Sequence, residues 1–164
     1  MARSHRWITK LLFRVRRLVI FVSWARRNPG APSPSRRIRT VSAKYVLLVD
    51  SHEDSRAIYT TILEHYGFAV ASAAHPDEGL RMARARRPDL IVLEFSPPRA
   101  RSLEAFRAFR ADPATASVPM VALSTTLGEA DRELLVSEGI AGYLVKPCPP
   151  LTLLDVARGL LENS

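Results

Sequence analysis

Four polar side chains stand where short apolar runs of the sequence end. They are Asp50, Glu94, Ser124 and Lys146, and the runs before them are 45–49, 90–93, 120–123 and 142–145. Each run reads as a buried strand, and groups beyond the carboxyl ends of parallel strands share one edge of the sheet. Taken alone, Glu94 could be a solvated acid in a loop. Four strands that each deliver a polar group to one edge instead predict a single site with two carboxylates, a hydroxyl and an ammonium.

Amphipathic segments separate the apolar runs and are predicted to be helices. The predicted strands are 45–49, 68–73, 88–94, 120–124 and 142–145, and the predicted helices are 54–66, 76–87, 102–111, 126–139 and 151–161. Side-chain caps are expected from Asp54 or Ser55, from Ser102 and from Thr126. The inner face of the first helix is expected to carry Ile58, Ile62, Leu63 and Tyr66. Five strand–helix units predict an α/β fold, a doubly wound parallel sheet with helices on both faces.

The first 44 residues carry the basic charge of the chain. They hold twelve lysines and arginines and no acid, whereas the other 120 residues have a net charge of −4. Within 1–27, apolar and basic residues between 7 and 24 separate at the helical period, which indicates a basic amphipathic segment. Residues 28–43 are rich in proline and serine and are predicted to be a flexible linker. The folded domain is predicted to span 44–164.

Three roles stay open for the amphipathic segment at 7–24. It could bind an anionic membrane surface, it could be an arm for nucleic acid or a protein, or it could have no function of its own. A stretch that is rich in arginine and free of acid is also typical of a transit peptide. Its longest uncharged run, 18–25, falls well short of the ~20 residues that cross a bilayer. A transmembrane helix is therefore not expected. Of the two binding roles, contact with an anionic membrane is favoured over nucleic acid.

The cysteine and the histidines indicate no metal site of their own. Cys148 is the only cysteine, which excludes an intrachain disulfide and a multi-cysteine metal site. It is expected to be a small buried residue. A single cysteine fits a reducing cytoplasm, so the protein is expected to be cytoplasmic. Association with a membrane through residues 7–24 would add to that location. His52 lies in the loop of the predicted site and could meet a metal there, but a lone solvated loop residue is the favoured interpretation. His65 and His75 lack metal-ligand spacing. No glycine-rich phosphate-binding motif follows a strand, which argues against a nucleotide-binding enzyme.

Four pieces of the sequence together resemble the receiver domain of bacterial two-component response regulators. They are Val46–Asp50, Pro88–Leu93 with Pro98, Asp112–Thr115 with Val118–Ser124, and Gly142–Pro147. The resemblance covers residues 44–161 and implies a flavodoxin-like sheet with the strand order 2-1-3-4-5. It also implies that an aspartate after the third strand accepts a phosphoryl group from a histidine kinase. An acidic pair after the first strand then helps this aspartate to hold Mg²⁺. The resemblance further implies that the Lys146–Pro147 bond is cis.

Four residues match the functional residues of this family one by one. The resemblance implies that Asp50 belongs to the acidic pair, that Ser124 and Lys146 contact phosphoryl oxygens, and that Tyr143 is the aromatic residue that reports the state of the site. Matches from strands one, four and five therefore indicate a receiver-like site.

Three positions depart from the family pattern. Glu94 takes the place of the phosphoacceptor, Ser51 replaces the second member of the acidic pair, and Arg101–Ser102 replaces the usual Asp-Gly. Mg²⁺ demands near-octahedral oxygen ligands at about 2.0–2.1 Å, and a misplacement of about 1 Å can cost roughly a hundredfold in a positioned reaction. The departures therefore indicate a degenerate receiver, or pseudo-receiver, without a bound metal. If Mg²⁺ binds weakly, Asp50 and Glu94 would hold it.

The expected function is that of a stand-alone receiver in phosphorelay signal transduction. It is expected to act through protein–protein interaction and independently of phosphorylation, and it is not expected to be an enzyme. The alternative is a working phospho-accepting receiver that uses Glu94 with weak Mg²⁺ binding. The expected partner is a histidine kinase or another signalling protein, and a homodimer through the last two strand–helix units stays open. Glu94 is expected to contact Lys146, with Ser124 as a further contact, and so to hold the site in one state at neutral pH.

Overall fold

The computed structural model describes residues 43–162 of the chain. The amphipathic segment predicted at 1–27 lies outside these residues, as does the predicted linker at 28–43 except for its last residue. Within 43–162, no helix combines the length and the apolar composition that crossing a membrane requires.

Five strands alternate with five helices along the described residues. The strands are β1 (Tyr45–Val49), β2 (Ala69–Ala73), β3 (Leu90–Glu94), β4 (Met120–Ser124) and β5 (Gly142–Val145). The helices are α1 (Glu53–His65), α2 (Pro76–Ala85), α3 (Arg99–Ala111), α4 (Glu129–Ser137) and α5 (Pro150–Glu162). The predicted alternation of short apolar strands and amphipathic helices is therefore confirmed.

The strands form one parallel sheet in the order β2-β1-β3-β4-β5. This is the predicted order and a flavodoxin-like arrangement. In the register of the sheet, Val49 pairs with Leu93 and Ser124 pairs with Val145. All five carboxyl ends consequently lie at one edge, where the residues that follow the strands can meet.

Alternate residues of the central strands pack on opposite faces of the sheet. One face buries Leu47, Val49, Ile91, Leu93, Met120 and Ala122 against Phe106, Phe109 and Leu135 from α3 and α4. The other face buries Val46, Leu48, Leu90, Val92, Val121 and Leu123 against Tyr59 and Leu63 from α1 and Leu153 and Leu154 from α5. Both faces are covered, which explains why β1 is apolar and why β3 and β4 are apolar up to their last residues, Glu94 and Ser124.

Helix α2 approaches the end of β1 unusually closely. A Cβ atom placed on Gly79 would lie 2.7 Å from Cγ2 of Val49 and 3.3 Å from the Phe109 ring. Real Cβ atoms do not come this near to another heavy atom, so the absence of a side chain at Gly79 sets the distance between α2 and the strand that leads into Asp50.

The predicted inner face of α1 is wrong for two of its four residues. Ile58 and Tyr66 are 51% and 43% exposed, whereas Tyr59 and Leu63 are buried. Tyr59 can point inward because its hydroxyl lies 3.1 Å from Sγ of Cys148, which gives the buried phenol a polar partner. Tyr59 and Leu63 are four residues apart, so they define a single buried stripe that excludes Ile58.

The predicted helix caps are also wrong. Helix α1 begins at Glu53 without a side-chain cap, so neither Asp54 nor Ser55 has that role. Ser102 lies inside α3, where its hydroxyl donates to the carbonyl of Ser96 at 2.9 Å. Thr126 precedes α4 by two residues, and it is the Asp131 carboxylate that accepts the N–H of Gly128 at 3.1 Å. The Ser102 hydroxyl instead bonds to the loop before α3, and the Thr126 hydroxyl accepts from Arg99.

The corrected inner face of α1 gives a matched pair of substitutions. We expect Leu63→Ala to lower the free energy of unfolding by about 2–5 kcal/mol, because it leaves a cavity in the core. We expect Ile58→Ala, on the same helix, to lower it by less than about 1 kcal/mol, because half of that side chain is already in water. Urea denaturation followed by circular dichroism measures both, and equal losses would contradict the assigned face.

Candidate functional site

Side chains from the ends of three strands form a buried charged cluster. The ammonium of Lys146, after β5, donates to Oδ2 of Asp50, after β1, and lies 3.4 Å from Oε1 of Glu94, at the end of β3. The side chains of Asp50, Glu94 and Lys146 are 0%, 9% and 8% exposed. The backbone N–H of Lys146 donates to the carbonyl of Ser124 at 2.7 Å, and the Lys146–Pro147 bond is cis, as the resemblance implies. Asp50, Glu94 and Lys146 are therefore brought together as their positions at the strand ends predicted.

Ser51 completes the surroundings of Glu94. Oε2 of Glu94 accepts the backbone N–H of Ser51 at 2.9 Å and the hydroxyl of Ser51 at 2.6 Å. The substitution at position 51 therefore does more than remove a negative charge from the pocket. It supplies a neutral donor to the longer acid, a contact that spacing in the sequence did not reveal.

His52 is not the lone loop histidine that the sequence analysis expects. Its Nδ1 atom lies 3.0 Å from Oε1 of Glu94 and 3.3 Å from Oδ1 of Asp50, and its backbone N–H donates to Oδ1 of Asp50 at 2.9 Å. The ring is 62% exposed, so it covers the acidic pair on the solvent side. The one signal for this role in the sequence is that His52 follows Asp50 by two residues.

The pKa of Glu94 reflects these contacts. Burial raises the pKa of the Glu94 carboxyl, but the hydrogen bonds from Ser51 and the electrostatic effects of Lys146 and His52 together outweigh burial. The pKa therefore lies below its usual value, and Glu94 is a carboxylate at neutral pH.

Ser124 reaches the same edge of the sheet but does not join the charged cluster. It is buried, and its hydroxyl donates to the carbonyl of Thr126 at 2.6 Å. Nη1 of Arg99 donates to the same hydroxyl oxygen at 3.3 Å. Within residues 43–162, the hydrogen bonds of the Ser124 side chain are all to Thr126 and Arg99, so the expected contact with Glu94 is wrong.

Arg99 is a residue of the site that the sequence analysis missed. It is the first residue of α3, and its guanidinium reaches across to β4 and α4. A cation at the amino-terminal end of a helix meets the positive end of the helix dipole, which is unfavourable. That mismatch is the signal that could have indicated a specific partner for Arg99.

Tyr143 and Cys148 lie beside the cluster. Tyr143, on the edge strand β5, is 38% exposed, and the guanidinium of Arg132 lies 5.7 Å from the centre of its ring. Cys148 is half-buried, not fully buried as expected. Burial and the neighbouring Cys148 raise the pKa of the Tyr59 hydroxyl well above its usual value, so Tyr59 stays protonated.

Asp50, His52 and Glu94 offer one ligand atom each within 4.8 Å of one another. This donor set contains a ring nitrogen, whereas Mg²⁺ takes oxygen ligands in octahedral geometry. Lys146 also contacts both carboxylates and would compete with a metal for them. Two carboxylates and an imidazole beside an ammonium are not the all-oxygen ligand set that Mg²⁺ prefers.

Comparisons with known proteins agree with the fold. The response regulator receiver domain family matches residues 46–158. The chain is 28% identical to Protein PilH of Pseudomonas aeruginosa over 118 residues, which cover 72% of this chain and 98% of PilH. It is 26% identical to the polar-differentiation response regulator DivK of Brucella anthropi over 121 residues, which cover 74% of this chain and 98% of DivK.

A solved structure gives the same picture. The chemotaxis protein CheY4 of Vibrio cholerae superposes with a TM-score of 0.68 at 28% identity, covering 73% of this chain and all of CheY4. The parallel sheet order, the cluster at its carboxyl edge and the match over 46–158 lead to one conclusion. The chain belongs to the response regulator receiver domain family of two-component signalling.

Proposed function

We propose that this protein is a pseudo-receiver, which signals by binding another protein and does not depend on phosphorylation. The observation that carries the proposal is that Glu94, at the phosphoacceptor position, is already held by Ser51 and Lys146. In this state the protein is a binding module and not an enzyme. A phosphorelay partner would recognise a surface that is formed without phosphoryl transfer.

Both oxygens of Glu94 are engaged. Oε2 accepts two hydrogen bonds from Ser51, and Oε1 faces Lys146 and His52. A carboxylate that attacks a phosphodonor must release some of these contacts, and each hydrogen bond to a charged group contributes about 1.5–3 kcal/mol. The extra methylene of glutamate also moves the reacting oxygen by about 1 Å, enough to cost roughly a hundredfold. These effects act in the same direction, against phosphoryl acceptance.

The charge balance of the pocket supports the same proposal. With Ser51 neutral, two carboxylates face the ammonium of Lys146, and the imidazole of His52 lies over them. The lysine ammonium therefore offsets one of the two carboxylate charges without a metal ion. We accordingly propose that no cofactor is needed, with weak Mg²⁺ binding by Asp50 and Glu94 as the alternative.

The exposed surface around β5 supports a protein partner. Four large apolar side chains are exposed there: Val136, Tyr143, Val145 and Leu151. They come from α4, β5 and α5, the last two strand–helix units. A signalling protein such as a histidine kinase fits this surface, and a second copy of the chain fits it equally in a homodimer.

Reconstruction of the family's acidic residues tests the proposal. We expect the natural protein to be inert to Mg²⁺ and acetyl phosphate, and the double variant Ser51→Asp with Glu94→Asp to be phosphorylated at least about a hundredfold faster. Intact mass measures phosphorylation and isothermal titration calorimetry measures metal binding. The two single variants are the matched controls. Comparable phosphorylation and metal binding by the natural protein would support the phospho-accepting alternative instead.

Ser51→Ala tests whether Ser51 holds Glu94. The variant loses the hydroxyl that donates at 2.6 Å, so we expect the pKa of Glu94 to rise towards its usual value of about 4.3. Because the pKa of Glu94 is lower in the folded protein than in the unfolded chain, Glu94 stabilises the fold above that pH, and this contribution is lost as the pH falls through the folded pKa. Acid unfolding of Ser51→Ala should therefore begin at a higher pH.

NMR titration of the Glu94 carboxyl measures this shift directly. Ser137→Ala is the control, because the Ser137 hydroxyl donates only within α4, to the carbonyl of Leu134. A pKa of Glu94 that is the same in Ser51→Ala and in the natural protein would rule out the holding role of Ser51.

We propose a cytoplasmic location, with membrane association through residues 7–24. The separation of basic and apolar residues in this segment supports contact with an anionic surface. A peptide of residues 7–24 should gain helicity on vesicles of anionic lipid and not on zwitterionic vesicles, as measured by circular dichroism. No gain on anionic vesicles would leave the segment without this role.

A further inference from the structure

Arg99 makes an unusually complete set of contacts for a residue near the surface. Nη1 donates to the carbonyl of Phe95 at 2.9 Å and to Oγ of Ser124 at 3.3 Å. Nη2 donates to the carbonyl and hydroxyl oxygens of Thr126 at 2.6 and 3.1 Å and to Oδ2 of Asp131 at 2.9 Å. Its guanidinium carbon also lies 4.5 Å from the centre of the Phe95 ring. One side chain therefore joins the end of β3 to the loop between β4 and α4.

The chemistry of these contacts requires arginine. A planar guanidinium can donate to several acceptors in a fixed fork and can stack on an aromatic ring, which an ammonium cannot do. The carboxylate of Asp131 offsets the unfavourable position of a cation at the start of α3, and both partners are mostly shielded from water. The ion pair is therefore screened less than a pair on an open surface.

The contacts of Arg99 determine where the Ser124 hydroxyl points. That hydroxyl uses its single proton to reach the carbonyl of Thr126, which also accepts from Arg99. The backbone N–H of Thr126 in turn lies 3.3 Å from Oγ of Ser124. Ser124 and Thr126 thus form a closed turn under the guanidinium, away from the carboxylate of Glu94.

We infer that Arg99 is a positioning residue that holds the loop of residues 125–128 in one arrangement and keeps the Ser124 hydroxyl directed into that loop. The contacts that hold the loop come from side chains and carbonyls of the protein itself. This inference rests on the proposed function, since a receiver that signals without phosphorylation needs a surface that is already ordered. The inference names Arg99 as the residue that orders this surface.

Hydrogen exchange of the full chain, measured by mass spectrometry, tests the role of Arg99. In Arg99→Gln we expect the amides of residues 125–131 to exchange about tenfold faster than in the natural protein, which corresponds to about 1.4 kcal/mol of lost protection. Arg99→Lys should show part of this increase, because it keeps the charge but not the fork.

Arg107→Gln is the matched control. Arg107 also lies on α3 and pairs with a carboxylate beyond α4, that of Glu138, but it contacts neither Ser124 nor Thr126. We expect its exchange at 125–131 to equal that of the natural protein. Unchanged exchange in a folded Arg99→Gln, or the same increase in Arg107→Gln, would overturn the inference.

Asp131→Asn provides a second route if Arg99→Gln does not fold. It removes the countercharge of Arg99, while the asparagine side-chain oxygen can still accept the N–H of Gly128. A severalfold increase at 125–131 is therefore expected, and no increase would again overturn the inference. These measurements use no phosphodonor and no substitution at Ser51 or Glu94. Their outcome is thus separate from the test of phosphorylation, so a failure of this inference can be told from a failure of the proposed function.

Discussion

The ammonium of Lys146, shared between Asp50 and Glu94, is the interaction on which this edge of the protein depends. All three side chains are nearly or wholly removed from water. Leaving one member of a buried ion pair without its partner costs about 3–5 kcal/mol, so the cluster is stable only when all its members are in place. Asp50 follows β1, Glu94 ends β3 and Lys146 follows β5. Their ion pairs therefore link strands that are not all neighbours in the sheet. The parallel order of the sheet is thus what makes the cluster possible.

The departures at positions 51 and 94 fit each other physically. An ionised aspartate at position 51 would only accept hydrogen bonds and would repel Glu94, whereas the serine hydroxyl donates to it. The longer reach of glutamate in turn brings Oε2 to both the hydroxyl and the backbone N–H of Ser51. Two changes that separately would disturb the pocket produce a satisfied one together, and His52 closes it on the solvent side.

The fold could be predicted from the sequence because its signals are local and repeated. Short apolar runs mark the buried strands, and the polar residue after each run marks the edge where Asp50, Glu94 and Lys146 meet. Contacts made by long or flexible side chains could not be predicted in this way. Arg99 reaches from α3 to α4, which lies about thirty residues further along the chain, and no period in the sequence encodes that contact. The inner face of α1 was misassigned because Tyr59 gains a partner, Cys148, that only the folded chain supplies.

The close approach of α2 to β1 separates the shape of the pocket from its chemistry. The distance between α2 and β1 depends on the missing side chain of Gly79, because a Cβ atom there would collide with Val49, the residue before Asp50. Nothing in that constraint depends on a phosphoryl group or on the identity of the acid at position 94. A receiver scaffold can therefore exchange its reactive residues and still present the same outline to other proteins. A side chain at position 79 would push α2 away from the strand that leads into the pocket without changing any of the pocket's charged groups.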